Sequence, residues 1–192
     1  LSGLGLSNLP TFPNDLCNLD VSNNRLTNLH DYCLPSNLKT LIAINNQITH
    51  LPPLPSRLGF LDVQKNQLRA LPDLPNGLVV LDASENDLQA LPHVLPDALR
   101  VLDISSNRIR HLPEDFSNAL EFLDAARNNL QSIPEGLPNY IEYLDVSENE
   151  LGRLPDKLPA RLITLNVAGN ALTDIPDYFN QSFSNHPRNV EN

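Results

Sequence analysis

This sequence predicts a solenoid in which every coil contributes one short parallel strand, and three observations predict it. A pattern of the form L-x-x-L-x-[VIA]-x-x-N-x-[LI]-x-x-[LI]-P starts at Leu16, Leu38, Leu58, Leu78, Leu99, Leu120, Ile141 and Leu162, with spacings of 22, 20, 20, 21, 21, 21 and 21. Its ninth position is Asn24, Asn46, Asn66, Asn86, Asn107, Asn128, Asn149 and Asn170. The 17 prolines are not clustered as in a disordered tract; they recur at regular intervals between leucine-rich runs. Eight units in register exclude a helical heptad.

Within a unit, Leu at the fourth position and Val, Ile or Ala at the sixth alternate with polar residues, the period of a half-buried strand. The second leucine pair, such as Leu88 and Leu91, folds back to close the coil on the same core. The ninth-position Asn belongs in the turn between them, where its amide can satisfy backbone groups of its own coil and the next. The return wall reads Leu51-Pro52-Pro53-Leu54-Pro55 or Leu71-Pro72-Asp73-Leu74-Pro75. Proline fixes φ and breaks a helix interior, so this wall is expected to be extended. The expected fold is a leucine-rich-repeat solenoid with parallel β-strands on the concave face, an extended polyproline-like convex face and little helix. Residues 1–15 read as a partial N-terminal repeat, 16–176 as eight repeats of 20–22 residues, and 177–192 as a C-terminal cap and polar tail, with Tyr178, Phe179 and Phe183 as capping candidates.

Composition narrows the function. A formal net charge of −10 opposes nucleic-acid binding, which needs a basic stripe. The sequence has no apolar run long enough to span a bilayer. The two cysteines, Cys17 and Cys33, are too few for a disulfide framework. Their places in one repeat, strand against opposite wall, argue against a bridge, so a reducing compartment is expected.

The sequence carries no catalytic or metal-binding constellation. The histidines at 30, 50, 93, 111 and 186 have no metal-ligand spacing. No nucleophile elbow, P-loop or dinucleotide motif occurs. Neither a catalytic residue, a metal nor a cofactor is therefore assigned.

Equivalent positions of successive coils form rows across the surface. Positions three, five, seven, eight and ten are expected to point out of the concave face. Row three contains Phe60, Val80, Val101, Phe122 and Tyr143 between polar ends, an apolar and aromatic stripe of the kind that marks partner sites. The plainer alternative is strand propensity at half-exposed positions. Row five contains Asp62, Asp82, Asp103, Asp124 and Asp145. At ~4.8 Å between strands, each adjacent pair costs about 0.9 kcal/mol even in bulk water. Hydration, hydrogen bonding or partial protonation would relieve that cost, and so would a basic partner. Arg108 and Arg127 stand between acidic clusters in rows eight and ten and would set a partner's register.

The L-P-x-L-P wall joined to L-x-x-L-D-V-S-x-N, at Leu71 to Asn86 and Ile133 to Asn149, resembles the LPX-type leucine-rich repeats of bacterial type III-secreted effectors. That family includes YopM-like scaffolds and IpaH-like novel E3 ubiquitin ligases. The resemblance implies a virulence protein secreted by a bacterium into host cytoplasm that binds a host protein on its concave face. In a ligase a separate C-terminal domain would supply the catalytic cysteine. Neither Cys17 nor Cys33 matches such a nucleophile. Three readings follow: substrate-recognition part of a ligase, non-enzymatic host-signalling scaffold, or extracellular adhesion or receptor fragment.

Overall fold

Each unit's third to fifth residues form a three-residue strand: β1 (Asn18–Asp20), β2 (Thr40–Ile42), β3 (Phe60–Asp62), β4 (Val80–Asp82), β5 (Val101–Asp103), β6 (Phe122–Asp124), β7 (Tyr143–Asp145) and β8 (Thr164–Asn166). The computed structural model describes residues 1–29 and 34–173. The strands make one parallel sheet in sequence order, β1 to β8. Pairing is in strict register: Leu61 faces Leu81, and Leu102 faces Leu123. The described residues contain no helix. Cys33, His30, His186 and the suggested capping aromatics lie outside the described residues.

The core is a stack of leucine layers. The fourth-position side chains from Leu41 to Leu144 are fully buried, as are Leu26, Ile48, Leu68, Leu88, Ile109, Leu130 and Leu151 at position eleven. Strand and return wall thus meet on one apolar column, and burying leucine on both sides is what closes the coil.

The asparagine ladder links these coils. Asn107 donates through Nδ2 to the carbonyls of Ile104 and Ser105 in its own coil at 3.0 and 3.1 Å. It also donates to Ala83 O in the coil before, at 3.0 Å, while its Oδ1 accepts from the N–H of Leu88 in that same coil at 2.9 Å. The scheme recurs along the ladder, for example at Asn66 and Asn149. The bonding therefore runs to the preceding coil and not the next one, because the turn carries the amide back under the strand it has just left. Asn24, Asn46, Asn66, Asn86, Asn107, Asn128 and Asn149 are at most 9% exposed, and a buried amide must have such partners.

Position eight shows what the turn demands. Asn23, Asn45, Lys65, Glu85, Ser106, Arg127 and Glu148 all have φ between 51° and 56°, and Gly169 at the same position has φ of 68°. A left-handed residue at each coil is the cost of the sharp exit from the strand.

The convex wall is extended and ends in a turn. Backbone N–H groups of Leu58, Leu78 and Leu99 donate to the carbonyls of Pro55, Pro75 and Pro96 at 2.9–3.0 Å. Each such proline opens the turn that feeds the next strand. Where Ser117 takes the proline's place, its Oγ donates to Asp97 O at 2.6 Å and accepts from the N–H of Ala119 at 3.1 Å. The hydroxyl thereby replaces ring stiffness with a tie to the neighbouring coil.

Candidate functional site

Parallel register turns the two rows read from sequence into two continuous strips. Phe60, Val80, Val101, Phe122 and Tyr143 stand opposite one another across β3 to β7. Two residues along, so do Asp62, Asp82, Asp103, Asp124 and Asp145. The apolar row is half-buried throughout. Its last two members stack, with ring centroids 4.4 Å apart and planes 6° from parallel.

The aspartates are tied down rather than free. Each accepts the backbone N–H two residues on: Asp82 from Ser84 and Asp103 from Ser105 at 3.0 Å, Asp124 from Ala126 at 3.0 Å, and Asp145 from Ser147 at 2.9 Å. The hydroxyls of Ser84, Ser105 and Ser147 donate to the same carboxylates at 2.6–2.7 Å. Gln64 bridges two rungs, its Nε2 reaching Asp62 Oδ1 at 3.3 Å and Asp82 Oδ2 at 3.0 Å. Asn166 Nδ2 donates to Asp145 Oδ2 at 2.9 Å.

Position seven therefore departs from the sequence expectation. Ser22, Ser84 and Ser147 are only 4%, 7% and 7% exposed. The hydroxyls of Ser84 and Ser147 turn to the carboxylates of position five, while Ser22 Oγ accepts from the Ile44 N–H at 3.2 Å; Asp62 and Asp145 are themselves only 8% exposed. A serine two residues after Asp20, Asp82, Asp103 and Asp145 was the readable signal for this cap, which Gln64 and Ala126 replace beside Asp62 and Asp124.

These hydrogen bonds do not cancel the field along the row. Burial, reinforced by neighbouring carboxylates, raises the carboxyls of Asp62 and Asp103 above the ordinary range. Asp124 is pushed up to about 6, by burial first and then by the charges of Asp103, Asp145 and Asp82. Tyr143 is pushed up to about 12 by burial and by the Asp145 and Asp124 charges. Asp20 goes the other way: the N–H of Ser22 holds it below the ordinary value.

Arg108 and Arg127 are exposed, and each is matched by the adjoining coil. Arg108 meets Asp87 at 2.6 Å and Arg127 meets Glu148 at 3.2 Å. Both flank the strand face, not the aspartate row. No group of His, Cys, Asp and Glu suited to a metal occurs among the described residues.

An open sheet face, built from stacked leucine-rich coils and furnished with apolar and charged rows, defines a leucine-rich-repeat domain, a class that serves as a recognition scaffold. A Leucine Rich Repeat family model matches residues 98–119. A Shigella effector leucine-rich-repeat domain is 31% identical with a TM-score of 0.72, the match covering 91% of this chain and 78% of that one. The chain belongs to this family of bacterial effector leucine-rich-repeat proteins. YopM from Yersinia enterocolitica is 39% identical with a TM-score of 0.83 over 89% of this chain, which spans 37% of that protein's length. YopM from Yersinia pestis is 31% identical with a TM-score of 0.73, covering 90% of this chain and 55% of that one. No curated protein matches the sequence.

Proposed function

We propose that this chain recognises a host protein on its concave strand face, as the substrate-recognition part of a type III-secreted E3 ubiquitin ligase that acts in host cytoplasm. The observation that carries the recognition reading is the pairing of two strips on the same five strands. An apolar row from Phe60 to Tyr143 lies in register beside an acidic row from Asp62 to Asp145. An apolar and aromatic strip with a charged border is the composition of a protein interface. Phe60, Val80, Val101, Phe122 and Tyr143 would supply contact area, the five aspartates charge, and Arg108 and Arg127 the flanking register.

The test is affinity capture from host lysate, followed by cross-link mapping and a titration with the purified partner. Phe122→Ala with Tyr143→Ala should weaken that partner's binding at least tenfold. Losing one half-buried stack should leave the double variant folded, at a stability cost of about 1–3 kcal/mol. Undiminished binding, or cross-links confined to the convex wall, would remove the strand face from consideration.

A second reading, a non-enzymatic scaffold for host signalling proteins, is favoured by the higher identity to YopM than to the Shigella domain, 39% against 31%. Full-length protein incubated with ubiquitin and its activating and conjugating enzymes separates the two. Ubiquitin transfer to the captured partner supports the ligase. A stable complex without transfer supports the scaffold.

A further inference from the structure

Cations are distributed unevenly around the coil. Lys65, Arg100, Arg108, Arg127 and Arg153 pair with Glu85, Glu121, Asp87, Glu148 and Glu135. Among the described residues, none of these ion pairs involves Asp62, Asp82, Asp103, Asp124 or Asp145. Five carboxylates in register across five strands thus have hydrogen-bond donors but no counter-charge, directly beside an apolar strip that is itself only half-buried. The face is incomplete in two complementary ways at once. Resting on the reading of the strand face as the recognition surface, we propose that its partner is a protein segment presenting a Lys or Arg beside an apolar or aromatic side chain. The cation lies over Asp103 and Asp124, and the apolar group lies against the Phe122 and Tyr143 stack.

Spacing supports this chemistry. The two strips are two residues apart along each strand, which is ~6.6 Å at a rise of ~3.3 Å per residue. An extended Lys-x-aromatic step places its two side chains on one side at the same separation. Charge supports it as well. Asp124 is held near the top of its range by burial and by Asp103, Asp145 and Asp82, and the Tyr143 hydroxyl faces the same row. A bound cation would offset the repulsion from Asp103, Asp145 and Asp82 that adds to the burial of Asp124.

The experiment measures fluorescence anisotropy of a short labelled peptide with two Lys-x-Phe steps between Gly-Ser flanks. Two twins accompany it, one with Glu-x-Phe and one with Lys-x-Ser. The protein variants are Asp103→Asn with Asp124→Asn on the face, and Glu114→Gln with Asp115→Asn on the exposed convex wall. Asn is already accommodated in this row, where Asn166 Oδ1 accepts the Ala168 N–H at 3.1 Å, so the face variant should fold. The Lys-x-Phe peptide should bind at least tenfold tighter than either twin. The face variant should lose at least tenfold of that affinity, and the convex variant less than twofold. In the wild-type chain, affinity should fall between pH 7 and pH 5 as Asp124 protonates, a dependence the face variant lacks. Equal losses in the two variants would show diffuse attraction to an acidic protein and overturn the proposal, as would a Glu-x-Phe peptide that binds equally well or no binding by any peptide. If the Phe122 and Tyr143 substitutions abolish binding of the captured host protein while the aspartate substitutions do not, the recognition surface stands and this partner chemistry falls.

Discussion

Asp20 on the first strand and Asp124 on the sixth occupy the same position of the repeat and accept the same kind of bond, from the backbone N–H of Ser22 at 2.9 Å and of Ala126 at 3.0 Å. They titrate in opposite directions. Asp20 is exposed and stands in register with Ile42; the Ser22 N–H dominates and its carboxyl lies below the ordinary value. Asp124 stands in register with Asp103 on one side and Asp145 on the other, and burial with these charges lifts it to about 6. Asp20 is further lowered by the Ser22 side chain, whereas at Asp124 a single backbone bond is outweighed by burial and two like charges. The repeat motif thus sets the geometry of a rung, and its neighbours set the charge.

The largest test addresses what the two regions share, the leucine layer under the aspartates. Leu102 is fully buried and Leu19 is 5% exposed. Leu102→Ala should cost ~2–5 kcal/mol in urea unfolding, and Leu19→Ala should fall at or below the lower end because an edge layer relaxes more easily. Equal costs would mean that β1 and β5 are equally supported, leaving the charge row as their difference.

The charge row itself should give the intermediate effect, with opposite signs. A carboxyl whose folded pKa is raised destabilises the fold above that value, and the penalty disappears as pH falls through about 6 towards the unfolded value. Asp124→Asn should therefore stabilise at pH 7 by about 1 kcal/mol, after allowing for solvent screening, and by nothing at pH 4. A carboxyl whose folded pKa is lowered contributes stability above its unfolded value and loses it as pH falls through the folded value. Asp20→Asn should accordingly cause a small loss at pH 7 that disappears in acid. Thermal melts of both variants at the two pH values check the signs, and a destabilised Asp124→Asn at pH 7 would break the comparison.

The smallest effect is expected at Arg127. Its φ of 55° costs about 1 kcal/mol relative to glycine. Arg127→Gly removes that strain but also the exposed contact with Glu148 at 3.2 Å, worth about 0–1 kcal/mol, and adds chain entropy to the unfolded state. The net change in melting free energy should stay within about 0.5 kcal/mol. A loss above that would assign the Glu148 pair a structural role larger than exposed pairs carry.

The recurrence of Leu, Asn and Pro determined nearly all of the architecture. Strand positions, leucine layers, the asparagine turn and the extended wall each follow from local periodicity, and all eight strands fall at positions three to five of their units. Residue order alone also aligned the two rows, since a parallel stack of equal coils leaves little choice of register. The burial of Ser84 and Ser147, the Gln64 bridge between Asp62 and Asp82, the left-handed eighth position and the 4.4 Å stack of Phe122 on Tyr143 were decided by tertiary structure. The bridge and the stack relate side chains about 20 residues apart, the buried serines answer a carboxylate two residues before them, and the turn is one that residues as different as Lys65, Glu85 and Arg127 all adopt. Above all, the opposite titration of Asp20 and Asp124 could not be read from the Leu-Asp motif they share. Electrostatic free energy depends on burial as well as on neighbours: the aligned row already sets Asp20 beside Ile42 and Asp124 between two aspartates, but only the folded coils leave the first carboxyl exposed and half-bury the second.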